Sequence, residues 1–183
     1  MAIVQFYIVD VDYATTSFGK AAIRLFGKTK DGKGICCIDR NFEPYFYAMP
    51  KEAANFEKII AKIKETREGD SFAKGVFIEE KKDFSKIKQA LKVVVNHPKD
   101  VPIISKSIME IDGIEDVREN DILFARRYLI DKKLTPLVFC TASGNIIRDE
   151  TVNSEITMDI EEIKSDVEDV NKIRAISMDI ETY

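Results

Sequence analysis

Tryptophan is absent from these 183 residues and histidine occurs once, as His97. With no second His, Cys or Asp at ligand spacing, a histidine-built zinc site or a general-base triad has no foundation. His97, followed by Pro98, reads as a turn residue at a strand end. Ser17 and Ser143 lack a histidine nearby in sequence, which removes support for nucleophilic hydrolysis. Cysteine is scarce: Cys36 and Cys37 are adjacent and Cys140 is distant. That pattern fits neither a disulfide framework nor a zinc spacing, and is expected of buried thiols in a reducing cytosol. No apolar run approaches the roughly 20 residues of a membrane helix. The opening MAIVQFYIVDVDY has no basic n-region or cleavage site. The expectation is a cytoplasmic protein with no membrane partner. Asp31-Gly32-Lys33-Gly34 is too short to cradle phosphate and reads as a hairpin turn.

What the chain does have is 45% apolar residues, enough to bury a core and to form one domain plus part of another. Its net charge of −4 is unevenly distributed. Residues 149–170 hold nine acids against one lysine, 171–183 are neutral, and 1–148 therefore carry +4. A mildly basic body with an acidic section is compatible with nucleic-acid contact without demanding it.

Taken in order, Ala2–Tyr13 is rich in β-branched and aromatic residues and reads as a strand. A turn near Ser17-Phe18-Gly19 leads to a strand at Ala21–Lys28, and the Asp31–Gly34 turn to a third at Ile35–Asp39. From Pro44 to Asn120 the order becomes strand, helix, strand, strand, helix, strand. The strands are Pro44–Met49, Phe72–Glu80, Ala90–Asn96 and Ile114–Arg118, with Lys81–Gln89 as a connection. Phe56, Ile59, Ile60 and Ile63 mark the first helix and Val101–Ile111 the second. This predicts an α+β fold: an N-terminal β-meander plus a ferredoxin-like, split βαβ two-layer sandwich. RNA-recognition modules share that order, but Ala90–Asn96 has no aromatic for base stacking, so the layer reads as scaffold. Leu137–Ala142 reads as a strand, Ser143-Gly144-Asn145 as a turn, and the weakly periodic Ile146–Asp169 as a solvated connecting strand and loop.

The chain is organised around Ile114–Lys133, IEDVRENDILFARRYLIDKK. A strand breaks at Glu119-Asn120-Asp121 and a helix follows, capped by Asn120 or Asp121. Phe124 and Tyr128 share one face, while Arg126 and Arg127 point elsewhere; on residue types alone they read as solvated charge. Lys132 and Lys133 suit the helix C-terminus. At the far end, Ile173–Tyr183 (IRAISMDIETY) reads as a strand with Asp179 and Glu181 on one face. Two carboxylates so placed could hold divalent cations that activate water against a phosphodiester, or be plain surface acids.

DILFARRYLIDKKLTP, followed some fifty residues later by ISMDIETY, resembles the N-terminal region of archaeal-type family B DNA polymerases. DVDY (10–13), IRLF (23–26), DRNFEPYFYA (39–48) and HPKDVP (97–102) extend the resemblance over most of the chain. It implies residues 1–133 as the N-terminal, template-reading domain and 134–183 as a connecting segment with the first strands of a truncated, ribonuclease H-like 3′-to-5′ exonuclease domain. Asp179 and Glu181 would then ligate Mg²⁺ or Mn²⁺ in the longer parent. None is expected to bind the 183-residue piece, which should neither polymerise nor proofread. The partners implied are single-stranded template DNA, the remaining polymerase and exonuclease domains, and, for the parent only, a sliding clamp.

The resemblance also implies a pocket that captures template uracil ahead of the polymerase site and stalls synthesis. Its residues here are Tyr13, Pro44, Tyr45, Pro98, Val101, Ile122 and Phe124, with Arg127 supporting the pocket or meeting a phosphate. Flat and apolar side chains can sandwich an extruded base, and backbone amides near Tyr45 and Ile122 could pair with its edge. A close wall would reject thymine through its methyl group, a discrimination of about 1–3 kcal/mol. Ser105 stands where relatives often carry arginine, which weakens an expected phosphate contact. A free-standing metal nuclease built on Asp179 and Glu181, and a structural module without nucleic-acid affinity, are the alternatives.

Overall fold

A computed structural model describes residues 1–83 and 86–170, which form two compact units. Of the described residues, 1–12, 24–39 and 129–170 make the first; 13–23 and 40–128 make the second. The chain is α+β and mostly strand.

The first unit is a closed five-stranded barrel. The meander β1 (Ala2–Thr15), β2 (Ala21–Thr29) and β3 (Gly34–Asp39) is completed by β9 (Val138–Ile146) and β10 (Ile156–Val170), in the order β1-β2-β3-β10-β9. β9 runs antiparallel to β1, with Phe6 opposite Cys140, and antiparallel to β10. β10 closes the ring by pairing parallel to β3, Ile156 opposite Ile35. A meander closed through one parallel pair has the topology of oligonucleotide-binding barrels, a likeness of fold that by itself carries no function. Phe6, Ile8, Leu25, Ile35, Met158 and Ile160 are among its buried side chains.

Besides residues 13–23, the second unit is formed by the chain from Arg40 to Tyr128. β4 (Tyr45–Pro50), α1 (Phe56–Glu65), β6 (Ser71–Asp83), β7 (Lys86–Val95), α2 (Val101–Met109) and β8 (Ile114–Arg118) follow in turn, with the two-residue β5 (Arg67–Glu68) on the edge. The sheet order β5-β6-β7-β4-β8 is the expected split βαβ arrangement. Asn55 starts α1 by accepting the Lys58 N–H at 3.0 Å. Ile59 and Ile63 of α1 and Ile104 and Ile108 of α2 pack over Phe46, Ala48, Leu91, Val93 and Val95. Alternation sends Tyr45, Tyr47 and Met49 to the opposite face of β4, with Ala90 and Val94. α3 (Phe124–Asp131) leads the chain back toward β9.

Four local expectations are corrected. Lys81–Gln89 is no connection: β6 and β7 pair as far as Asp83 and Lys86, in an exposed ribbon whose charged residues carry little strand signal. Ser143-Gly144-Asn145 is no turn but part of β9. A Cβ on Gly144 would lie 2.1 Å from the Asp159 carbonyl oxygen, so glycine is there for close approach of β10. Ile146–Asp169 is no solvated connection beyond its first residues. From Ile156 it is a barrel strand, and a register shift between Ile160 and Glu162 breaks the alternation that would have revealed it. Finally, α3 begins at Phe124 without a cap from Asn120, whose side-chain amide instead donates to Ser105 Oγ at 3.2 Å. The expected strand Ile173–Tyr183, with Asp179 and Glu181, lies outside the described residues.

Candidate nucleic-acid interface

The second unit gathers its aromatic residues around the start of α3. Phe124 sits edge-on to Tyr13, ring centroids 5.5 Å apart, and is stacked on Phe42 at 5.3 Å. Phe42 in turn meets the edge of Tyr128 at 5.0 Å. Phe124 and Tyr128, one turn apart, therefore do share a buried face. Such offset and edge-to-face pairs fix ring positions beyond what area burial alone achieves.

For Arg127 the structure departs from the reading of residue types alone. Arg126 is exposed, but Arg127 is only 4% exposed and is not solvated charge. Its guanidinium ion-pairs with the Glu119 carboxylate, donates to the Glu119 carbonyl at 2.9 Å and to the Tyr45 hydroxyl at 3.4 Å, and lies 4.6 Å from the Tyr45 ring centre. Burial opposes its charge, yet the hydrogen bond it donates to Glu119 and the nearby Tyr45 raise its pKa above the ordinary value. Glu119 adopts φ 61°, an uncommon conformation for a non-glycine residue, at the turn that meets the arginine. Arg127 Nε is buried without a hydrogen-bond partner. Tyr45 is covered further by Lys92, whose ammonium lies 4.1 Å from its ring centre.

Around His97 a second network forms. Its Nδ1 accepts the Lys99 N–H at 3.2 Å, so the proton of the neutral ring sits on Nε2, 3.0 Å from Thr15 Oγ1. Asp100 accepts the His97 backbone N–H at 3.0 Å and the Ser71 hydroxyl at 2.8 Å. His97 is thus a cap at the end of β7, and its ring approaches Tyr13 at 6.0 Å. Burial first, then the opposing pulls of Asp100 and Lys99, leaves its pKa below the usual histidine value.

Of the eight residues expected at a base slot, the structure brings Tyr13 to Phe124 and Arg127 to Tyr45. Pro44 is buried, and its carbonyl accepts the Val95 N–H at 2.9 Å. Pro98 opens the turn capped by His97, Val101 packs against the core beneath the helices, and Ile122 is half-buried in the loop before α3. Ser105 is 1% exposed, and its hydroxyl donates to the Pro102 carbonyl at 3.3 Å; this position is interior. Sequence reasoning missed Phe42, the ring linking Phe124 to Tyr128, although it lies inside the quoted DRNFEPYFYA segment.

A cleft of about 280 Å³ opens beside this cluster. Phe42 and Pro44 line it together with cations of the β1–β2 turn, the β3–β4 loop and β6. The other seven expected residues do not line it. Among the described residues no three His, Cys, Asp or Glu side chains are grouped to hold a metal, and no helix is long and apolar enough to cross a membrane.

Comparison with known proteins adds three findings. Residues 115–183 match the family model described as DNA polymerase family B, exonuclease domain. Over 131 residues, 71% of the chain, it is 41% identical to a DNA polymerase of Thermococcus kodakarensis, and over 132 residues 39% identical to DNA polymerase 1 of Pyrococcus abyssi. It spans only 8% and 17% of those relatives. The family B DNA polymerase of Pyrobaculum calidifontis shares the fold, with a TM-score of 0.76 over 88% of this chain and 20% of that one, at 24% identity.

Proposed function

Because the chain belongs to the archaeal-type family B DNA polymerases, matching their N-terminal region, we propose that it binds single-stranded template and captures uracil in it. The observation that carries this reading is the pairing of Tyr13 with Phe124 on the helix that also seats Arg127 against Tyr45. Rings fixed at the start of α3 form a wall against which an extruded base can stack, and stacking on aromatics tolerates any strand sequence. Pro44, Pro98, Val101 and Ile122 supply apolar surface to complete a slot, and its fit to the base edge distinguishes uracil from thymine. Arg127 acts from behind, holding Tyr45 and the Glu119 turn in place.

In the longer polymerase, Asp179 and Glu181 would ligate Mg²⁺ or Mn²⁺ for 3′-to-5′ proofreading, hard oxygen donors being suited to those ions. The match of residues 115–183 to the exonuclease family supports that assignment. DNA and the remaining domains of the polymerase are the partners this reading implies.

Fluorescence titration of the 183-residue chain with otherwise identical uracil and thymine single strands tests it. Tighter binding of the uracil strand is expected; equal affinities would remove the uracil role while leaving template binding open to measurement.

A further inference from the structure

The cleft at the β3–β4 loop is built unlike an apolar core gap. Lys20, Arg40 and Lys74 line it against a single carboxylate, Glu43, so it carries a net charge of +2. Glu43 ion-pairs with Lys74, both partners being nearly half exposed, and a pair so hydrated offsets little of the field. Phe72, which also lines the cleft, has the Arg67 guanidinium 4.8 Å from its ring centre, although Arg67 itself is not part of the lining. The amide Asn96 brings hydrogen-bonding capacity, and Phe42 and Pro44 a flat apolar wall. At about 280 Å³ the space suits one nucleotide unit rather than a larger ligand.

We propose that this cleft is a second nucleic-acid subsite, which holds a phosphodiester and its sugar from the single strand while a neighbouring base occupies the slot at Tyr13 and Phe124. The proposal rests on the template-binding reading above. Phe42 couples the two places: it lines the cleft and stacks on Phe124. The division of labour is physical. Cations that meet phosphate give affinity without sequence preference, whereas the slot discriminates among bases. An acidic peptide would use the lysines and arginine but leave the rings and amide without a role.

The test uses the full 183-residue chain and fluorescent uracil and thymine strands titrated over a series of salt concentrations. Lys20→Gln combined with Arg40→Gln alters two exposed side chains, and a thermal melt establishes that the double variant is folded before it is titrated. The double variant is expected to bind both strands about tenfold more weakly at low salt. The slope of log affinity against log salt should shrink by about 1.4, two contacts at roughly 0.7 each for single strands. The uracil-to-thymine ratio should stay as in the parent, and Glu43→Gln should tighten both complexes. Unchanged affinity and slope in a folded double variant would overturn the proposal, as would a loss confined to the uracil strand or no strand binding by the parent. Equal parent affinities for uracil and thymine, with the double variant still weakened on both, would sustain this subsite and remove only the uracil role.

Discussion

The barrel and the helix-covered sheet build their interiors from different chemistry. The barrel holds all three cysteines of the chain, each buried, among aliphatic side chains and Phe6. Burial pushes the Cys36 thiol up to about 11 and Cys140 up to about 12, and raises Cys37 further still. Such thiols are inert as nucleophiles and pack as small hydrophobes. The second unit instead buries Arg127 and His97, each tied to several partners, next to Tyr45 and Tyr128. An apolar interior asks only for volume, but a buried cation with directional bonds dictates where its neighbours stand. Precise side-chain placement is therefore found in the unit that carries the candidate interface.

This contrast can be broken selectively, because the cysteines report on the barrel alone while four of the six tyrosines, Tyr13, Tyr45, Tyr47 and Tyr128, lie in the other unit and Tyr7 in the barrel. The largest effect is expected from Gly144→Val. A Cβ there meets backbone at 2.1 Å, and barrel stability should fall by about 4 kcal/mol or more. Thiol labelling under native conditions should become fast while the fluorescence of the four tyrosines of the other unit is retained and only the Tyr7 share is lost; slow labelling would show that β9 and β10 can part without cost.

Arg127→Met should produce the opposite selectivity. Losing the bonds to Glu119 and Tyr45 is expected to cost about 2–3 kcal/mol, read as an earlier tyrosine transition in urea with thiol protection intact. A neutral result would mean that the buried cation is dispensable to this unit.

A smaller effect concerns pH. The folded pKa of His97 is depressed, so above the unfolded value near 6.5 both states are neutral and its contribution is fully present. As pH falls through 6.5 the unfolded chain takes up the proton first, and stability is lost until the folded pKa is passed. His97→Gln should flatten that dependence in tyrosine-monitored unfolding between pH 7 and 5; an unaltered slope would assign it to other groups. Smallest of all, Phe77→Ser on the exposed β6–β7 ribbon, where the ring is 57% exposed, should change either transition by no more than about 0.5 kcal/mol.

Much of the second unit was legible because its periodicities are local. Ile59 and Ile63, Ile104 and Ile108, and the β4 run show their roles within one or two turns of chain. The barrel's last strand was not, since the shift at Ile160/Glu162 changes the phase of burial from Met158 and Ile160 to Ile163, and six acids mask the rest. At the candidate site, Tyr13, Phe124 and Tyr45 were identified through resemblance, with no periodic signal of their own. Arg127 and Arg126 are the same residue type in the same segment, so only packing could tell the buried one from the exposed one.

By itself, then, the amino-acid order determined the family, the meander and the split βαβ layer, and singled out the residues proposed to meet a base. These depend on patterns within short stretches and on motif spacing along the chain. Tertiary structure alone decided that residues 156–170 close a barrel begun by residues 2–39, and that Arg127 is buried against Tyr45. It alone brought Lys20, Arg40 and Lys74 to one cleft. Each of these joins groups far apart in sequence, and a local pattern cannot encode which distant partner excludes water from a given side chain.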